Sequence, residues 1–278
     1  MRKLLGNCFS ERSLRSQHPT IEYFADLFIP RIRALAEGSN SEVDGTVIDM
    51  VDWTNFFTVD VIGDLAVGES FDCPQNSEYH PWVKDLFNFL QGMVYAAATR
   101  FYPSVEWLFK KSLPTSVMEL QRKHTEFVNA RINRRLDLKI ERPDFLTPFM
   151  KDNTDYENMS PGEFESTFAI LIVAGSEATS TTLCGIPNHL VQPKNKAVLQ
   201  KLVTEIRGSL KQEQEITIEA TKSLIYLEAV VNEGLRNCNP VPGGLPRIVP
   251  KGGDTYAGYF IPEKYATHSP QETPTDLI

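Results

Sequence analysis

The segment AILIVAGSEATSTTL, residues 169–183, places one carboxylate, Glu177, among small residues after an apolar run. Small residues recur here at three- and four-residue steps, so on a helix they form one strip: Ala174, Ala178, Thr181 and Thr182. Two interpretations are open. Either another helix packs on the strip and a basic neighbour pairs with Glu177, or a flat ligand lies there and Glu177 handles protons or water with nearby hydroxyls.

A second pair of charged residues lies at helical spacing farther along the chain. Glu233 and Arg236 are three residues apart, so on a helix their side chains are neighbours. On spacing alone, such a pair is a surface ion pair that contributes about 0.2–0.5 kcal/mol.

The strip around Glu177 needs a long helix to present it. Ser160-Pro161-Gly162-Glu163 has the serine and glutamate of a capping box, with proline at the first helical position. The apolar residues that follow occur on several faces, which predicts a buried helix. Because proline interrupts a helix, we expect this one to end before Pro187, after about 26 residues and roughly 39 Å.

Helical periodicity continues through residues 1–239, and we predict a mostly α fold. Further helices are predicted at 19–38, 49–68, 82–98, 117–139, 194–210 and 224–237. Proline, glycine and short alternating apolar runs then predict turns and short strands over 240–263. Residues 264–278 are polar with nothing to bury, and we predict a disordered tail.

The composition excludes some functions. The chain has 278 residues, a formal net charge of −8 and a pI of about 5.3. Because surfaces that bind nucleic acid are basic, this charge argues against a nucleic-acid partner. The one basic stretch, 131–142, is interrupted by acidic residues and carries apolar residues at helical spacing, which indicates a solvated helix face.

Cysteine spacing and apolar runs indicate a reducing compartment and a soluble chain. The four cysteines lie far apart in sequence with no C-x-x-C pair, so neither a zinc site nor a disulfide framework is predicted. No stretch has the roughly 18 uninterrupted apolar residues of a membrane span. The apolar run among the first residues is too short for a signal peptide. We therefore expect no transmembrane segment.

Five stretches together resemble the cytochrome P-450 superfamily, in particular its fungal members. AGSEATSTT resembles the family's oxygen-activation segment A-G-x-[D/E]-T-[T/S], and Glu233-Gly-Leu-Arg236 matches its E-x-x-R. Three more agree in the same order: DMVDWTNFFTVDVIGDLAVGESFD, ERPDFLTPFM and LPRIVPKGGDTYAGYFIPE. Five matches in series imply a partial cytochrome P-450 domain over residues 1–263, with a divergent tail at 264–278.

The resemblance implies a heme-thiolate monooxygenase of fungal secondary metabolism that inserts one oxygen atom of O2 into an apolar organic substrate. Ala174 and Gly175 would leave room for oxygen over the distal face of the heme. Glu177 would belong to the proton-delivery path. The family's oxygen-activation threonine follows the acid directly, but that heme-facing position is Ala178, and Thr179 lies about 100° farther round the helix.

Further residues match the family's structural and cofactor contacts. Arg2 and Arg247 match arginines that contact the heme propionates, since a guanidinium suits a carboxylate. Glu233 and Arg236 would be a buried structural pair.

The family's axial heme ligand has no counterpart in these residues. The family takes its iron-binding thiolate from a C-terminal F-x-x-G-x-R-x-C-x-G loop, and no such pattern occurs here. Cys238 stands in LRNCNP and Cys73 in SFDCPQ, so no metal ligand is assigned. We expect the chain to be the middle of a family member, truncated at both ends and inactive as encoded.

The resemblance also implies partners and a location. Electrons would come from NADPH through a partner reductase, at the cytosolic face of the endoplasmic reticulum membrane. This chain shows no anchor and is expected to be soluble in the cytoplasm. Two alternatives remain open: a non-catalytic helical binding or regulatory protein that retains the scaffold, or the product of a defective gene.

Overall fold

Helices make up most of the chain. The computed structural model describes residues 6–37, 47–73, 83–84, 99, 102–112, 115–138, 140–152, 159–241 and 247–267. In chain order the helices are α1 (Glu11–Glu37), α2 (Met50–Val67), α3 (Pro103–Ser112), α4 (Thr115–Asp137), α5 (Leu146–Asp152), α6 (Pro161–Leu190), α7 (Lys196–Ser209), α8 (Ile218–Thr221) and α9 (Ile225–Asn237). Short 3-10 helices, Pro193–Asn195 and Glu213–Glu215, precede and follow α7. The predicted mostly α fold is confirmed; the helix predicted at 82–98 falls almost wholly outside the described residues.

Two small antiparallel sheets follow the helices. Their strands are β1 (Arg247–Ile248) with β4 (Ala266–Thr267), and β2 (Asp254–Tyr256) with β3 (Tyr259–Ile261). The two-residue turn between β2 and β3 has Ala257 and Gly258 at φ 50° and 84°, as a type I′ hairpin requires. The paired chain extends to Thr267, past Lys264, where the sequence places the start of the tail; residues 268–278 lie outside the described ones.

The chain divides into two compact units. The first comprises residues 1–180 with 214–220, and the second comprises 181–213 with 221–278. Helix α6 begins in the first unit and ends in the second.

Local capping fixes both ends of α2 in the first unit. The carboxylate of Asp49 accepts the backbone N–H of Val51 at 2.9 Å, which satisfies a donor that the helix leaves free. Gly68 ends the helix in the left-handed conformation, φ 77°, and donates its N–H to Asp64 O at 2.9 Å. A Cβ at Gly68 would lie 2.6 Å from Cδ of Arg135, so glycine is required for packing as well. The boundaries predicted for α2 are confirmed.

Two predicted helix boundaries at prolines are wrong. Helix α1 begins at Glu11 instead of Pro19, because the hydroxyl of Ser10 accepts the N–H of Ser13 at 3.3 Å and caps an earlier first turn. Helix α6 continues through Pro187 to Leu190. A proline removes only its own N–H donor, and helical bonding resumes directly after it, with Val191 N donating to Pro187 O at 3.0 Å.

Aromatic and aliphatic side chains from α2, α4, α5 and α6 form the core of the first unit. At its centre are three phenylalanines whose ring centroids lie 4.7–5.5 Å apart: Phe149, Phe164 and Phe168. Helix α1 joins through Phe28, whose ring centroid lies 6.5 Å from that of Trp53 and 5.2 Å from that of Phe57.

A buried charge network links α4 to the turn before α5. Asp144, whose side chain is fully buried, accepts from Arg135 Nε at 2.7 Å through Oδ2 and from the backbone N–H of Thr147 at 2.8 Å through Oδ1. Arg142 lies 3.6 Å from the same Oδ2 and also pairs with Asp64 of α2. Every charge in the network therefore has a partner of opposite sign.

A second buried carboxylate, Asp60 of α2, accepts hydrogen bonds from neutral groups. It accepts the backbone N–H of Phe71 at 3.0 Å and the hydroxyl of Ser70 at 3.1 Å. Burial outweighs these hydrogen bonds and raises the pKa of Asp60 to about 6.

We predict that stability falls as the pH rises through this pKa. The ordinary pKa is 3.8, so the folded state holds the Asp60 proton more tightly than the unfolded state does. The stabilisation is fully present below about pH 4 and is lost by about pH 6, a change of about 3 kcal/mol. Asp60→Asn, which keeps a carbonyl acceptor for Phe71, should remove this slope in urea denaturation across that pH range.

Asp26→Asn, at an exposed position of α1, is the control and should leave the slope unchanged. A pH slope in Asp60→Asn equal to that of the unsubstituted chain would contradict the prediction.

In the second unit, α9 takes its N-terminal cap from α7. Leu224, at the N-cap position, makes no side-chain capping bond. Glu205 supplies it instead: Oε1 accepts the N–H of Tyr226 at 2.8 Å, and Oε2 accepts that of Leu227 at 2.9 Å. The ammonium of Lys201 lies 4.2 Å from the centroid of the Tyr226 ring. Two residues of α7 thus hold the first turn of α9.

Candidate active site

The helix that carries Glu177 begins with the predicted capping box. Ser160 N donates to Glu163 Oε2 at 3.0 Å, and Glu163 N donates to the Ser160 hydroxyl at 3.4 Å. Phe164, Phe168 and Ile172 then follow at four-residue steps, and each is at most 1% exposed. This apolar stripe fixes the rotation of α6 about its own axis, and so determines where the residues around Glu177 lie.

One face of α6 packs closely against α2. The hydroxyls of Ser180 and Thr54 are 2.8 Å apart and hydrogen-bonded in a buried position. A Cβ at Gly175 would lie 2.7 Å from Cδ1 of Ile62, so this glycine lets the two helices approach. Sequence reasoning missed this contact. Its signal is the four-residue step from Ser176 to Ser180, both buried, on the side of α6 away from Ala174.

Ala174, Glu177 and Ala178 lie at three- and four-residue steps, as the sequence predicts. Ala174 is exposed, and Glu177 and Ala178 are half-buried. Ile170, one turn earlier, is 66% exposed, while Thr179 is exposed farther round the helix. A part of α6 made mainly of small side chains is therefore accessible beside the carboxylate.

The carboxyl of Glu177 is partly shielded from water. Burial raises its pKa above the ordinary value of 4.5. A carboxyl in this setting stays protonated to a higher pH than an exposed one, so it is suited to hold a proton and release it.

Glu233 and Arg236 form the predicted ion pair on α9. Arg236 Nε donates to Glu233 Oε2 at 2.8 Å. Their side chains are 45% and 29% exposed, so within the second unit the pair is not enclosed as the family resemblance implies. Hydrogen bonds from Arg236 and then Asn237 lower the pKa of Glu233 to about 2. Glu233 also borders a cavity of about 290 Å³ between α6, α7 and α9.

The two predicted propionate contacts are only partly described. Arg2 lies outside the described residues. Arg247 lies in β1, where its backbone is in register with Thr267 of β4, but its side chain lies outside the described part of the structure. Both assignments stay predictions.

The four cysteines fall into two groups. Cys8 and Cys73 are fully buried in the core of the first unit, where the thiol of Cys8 donates to Phe145 O at 3.2 Å. Cys184 and Cys238 are half-buried in the second unit. Among the residues that the structure describes, no group of three or more histidine, cysteine or acidic side chains could hold a metal ion.

One described helix, residues 162–190 within α6, is long and apolar enough to cross a membrane by length and composition alone. Its apolar run is interrupted by small and polar residues such as Ser166 and Glu177. The stripe of Phe164, Phe168 and Ile172 on this helix packs in the core of the first unit.

Comparison with known proteins assigns this chain to one family. The cytochrome P450 family model matches residues 1–266. The cytochrome P450 monooxygenase astJ of Aspergillus oryzae is 40% identical over 261 residues, 94% of this chain and 51% of the relative. The monooxygenase lcsI of Purpureocillium lilacinum is 38% identical over 262 residues, 94% of this chain and 50% of the relative.

Versicolorin B desaturase of Dothistroma septosporum is 34% identical over 269 residues, 95% of this chain and 50% of the relative. The chain thus spans about half the length of the curated relatives it matches. The similarity covers all five stretches that the sequence analysis singles out. The chain therefore belongs to the cytochrome P450 family, a family of heme-dependent oxidoreductases, as its motifs predict.

Proposed function

We propose that this chain supplies the oxygen-activating helix of a heme-dependent monooxygenase, which inserts one oxygen atom of O2 into an apolar organic substrate. The observation that carries the proposal is the accessible face of α6, where Ala174 and Ala178 lie beside the half-buried Glu177. Members of this family bind heme, which is the flat cofactor that would lie against this face.

The residues of this face fit heme on its distal side. A porphyrin needs a surface without large side chains, and Ala174 and Ala178 project only methyl groups there. Heme, when bound, supplies the iron centre at which O2 is activated. Arg2 and Arg247 would hold its propionates through guanidinium hydrogen bonds.

Glu177 is the proposed proton donor at this face. Burial raises its pKa, which favours its role as a proton donor, and it lies beside the two alanines on the accessible side of α6. The hydroxyl that the family places next to the acid is absent at Ala178. Thr179, which is exposed one residue after Ala178, is the proposed substitute.

The axial ligand is the part of the site that these residues do not supply. Cys8 and Cys73 are enclosed in the core, and neither Cys184 nor Cys238 stands in the family's ligand pattern. We infer that none of the four cysteines of this chain holds heme as a thiolate ligand. Electrons from NADPH through a reductase, and a location at the endoplasmic reticulum membrane, belong to the same proposal for the whole protein.

A second function is favoured by two observations. A chain with Ala178 in place of threonine and Gly175 packed against Ile62 fits a helical binding or regulatory protein that retains the scaffold without chemistry. Reconstitution with heme distinguishes this possibility from the first.

The test uses a chimera in which residues 1–263 replace the matching region of the astJ relative. After addition of hemin and reduction under carbon monoxide, the chimera should show the Soret band typical of thiolate ligation, and the isolated chain should not. In the chimera, Glu177→Gln should lower product formation roughly 100-fold, because the amide cannot donate the proton.

Glu141→Gln, which removes a 77% exposed carboxylate from a surface ion pair, is the matched control and should leave turnover unchanged. Heme binding without any turnover in the chimera would favour the binding or regulatory alternative. A thiolate Soret band from the isolated chain would show that one of its own cysteines binds iron.

A further prediction concerns the position after the acid. In the chimera, Ala178→Thr should increase the product formed per NADPH consumed, because a hydroxyl then lies on the same face as Ala174, at the position that the family uses. Thr179→Ala should have the opposite effect if Thr179 now serves in its place. Equal coupling in all three proteins would show that water, and neither hydroxyl, carries the proton to this face.

A further inference from the structure

In the second unit, α6 and α9 touch at two adjacent points where glycine lets the helices approach. A Cβ added to Gly234 of α9 would lie 2.2 Å from Cγ1 of Ile186. A Cβ added to Gly185 of α6 would lie 2.4 Å from Sγ of Cys238. Real Cβ atoms essentially never come this close to other atoms, so both contacts depend on glycine. The backbones are therefore nearer than side-chain packing usually allows.

This close contact places Cys238 against the residue that follows Cys184. The Cβ of Cys238 would also lie only 2.7 Å from a Cβ on Gly185. Cys238 is held there as the C-cap of α9, where its N–H donates to Gly234 O at 2.8 Å. Because successive Cα atoms are about 3.8 Å apart, Cys184 lies one short step from the contact.

Cys184 also affects the pKa of Cys238. Burial is the first cause of the raised pKa of Cys238, and the charge of Cys184 is the second. Both cysteines are free and half-buried. Cys8 and Cys73, by contrast, are fully buried in the first unit.

We propose that Cys184 and Cys238 form a reversible disulfide that joins α6 to α9. The oxidant is a low-molecular-weight disulfide such as oxidised glutathione. The thiolate of one cysteine attacks a glutathione sulfur, which forms a mixed disulfide and releases one glutathione thiolate. The second cysteine then attacks the protein sulfur of that mixed disulfide and displaces the other glutathione. The protein loses two electrons and two protons, and glutathione disulfide gains them.

The pairing could not be expected from the cysteine spacing. Residues 184 and 238 are far apart in sequence and do not form a C-x-x-C motif, which is why the sequence predicts no disulfide. The fold brings them together because the last turns of α6 and α9 meet at Gly185 and Gly234. The link would also join α6 to the helix that carries Glu233 and Arg236.

The experiment treats the folded chain with oxidised glutathione, blocks remaining thiols with iodoacetamide and maps tryptic peptides without reduction. The expected product is a cross-link between the peptides 152–194 and 237–247, which contain Cys184 and Cys238. The number of thiols that react with maleimide in the native protein should fall from two to none, and dithiothreitol should restore both. Because the attacking species is a thiolate, cross-linking should accelerate from neutral to mildly alkaline pH.

Three variants make the outcome decisive. Cys184→Ser and Cys238→Ser should each abolish the cross-link, and Cys8→Ser should leave it intact. Because Cys238 is packed against α6, Cys184→Ser at the less constrained position also tests the link if Cys238→Ser unfolds the protein. Stable glutathione adducts at 184 and 238 without a cross-link would overturn the proposal. A link that involves Cys8 or Cys73, or four thiols that all stay reduced, would do the same.

Discussion

Replacing Asp144 by alanine should lower the free energy of unfolding by about 3–5 kcal/mol, because it leaves buried cations without their partner. Arg135, whose side chain is 6% exposed, would lose its 2.7 Å bond to a fully buried carboxylate. The backbone N–H of Thr147 would lose its acceptor at the same time. Urea denaturation at neutral pH, followed by circular dichroism, measures the change.

Two companion variants show whether the effect comes from an uncompensated buried charge. Glu119→Gln removes an exposed carboxylate from the pair with Arg122 and should not shift the denaturation midpoint. Replacing both buried partners, Asp144→Leu with Arg135→Met, should recover much of the loss, since no charge is then stranded. If Asp144→Ala were as stable as Glu119→Gln, the buried network would have no energetic role.

The substitution Phe168→Ala should also cost about 3–5 kcal/mol, here by opening a cavity. Phe168 is fully buried on α6, and its ring centroid lies 4.7 Å from that of Phe164 and 5.5 Å from that of Phe149. Removing this ring takes away its contacts with both neighbouring rings and leaves a cavity in the core. The same denaturation experiment measures the loss.

Ile170→Ala is the matched control on the same helix. Ile170 is 66% exposed, so removing it should change stability by less than about 0.5 kcal/mol. A comparable loss for Ile170→Ala and Phe168→Ala would mean that the accessible face of α6 is covered in solution, and that the buried and exposed faces are wrongly assigned.

The features that could be predicted from sequence are those decided within a few residues. The caps of α2 at Asp49 and Gly68, and the capping box at Ser160 and Glu163, depend on local hydrogen bonds that the sequence displays directly. Apolar periodicity likewise predicts the buried stripe of α6. The small-residue strip at Ala174 was predictable for the same reason, although its partner was not.

The features that could not be predicted depend on which elements meet. Position 175 requires glycine because Ile62, more than a hundred residues earlier in the chain, packs against it. The buried hydroxyl of Ser180 is hydrogen-bonded to that of Thr54, which is similarly distant in sequence. The proximity of Cys184 to Cys238 is of the same kind. The predicted end of α6 before Pro187 was wrong because a single missing N–H donor does not end a helix that tertiary packing supports.

The capping of α9 by Glu205 makes the order of folding events in the second unit testable. An isolated helix of 13 residues is marginal in water, and the first turn of this one has no cap of its own. Its orphan N–H groups at Tyr226 and Leu227 are satisfied only after α7 has formed and docked. Helix α7 should therefore gain structure before α9 in the folding transition state, and transient undocking of α7 should fray α9 from its N-terminus. The exchange protection of the Tyr226 and Leu227 amides should then correspond to the free energy of α7 undocking.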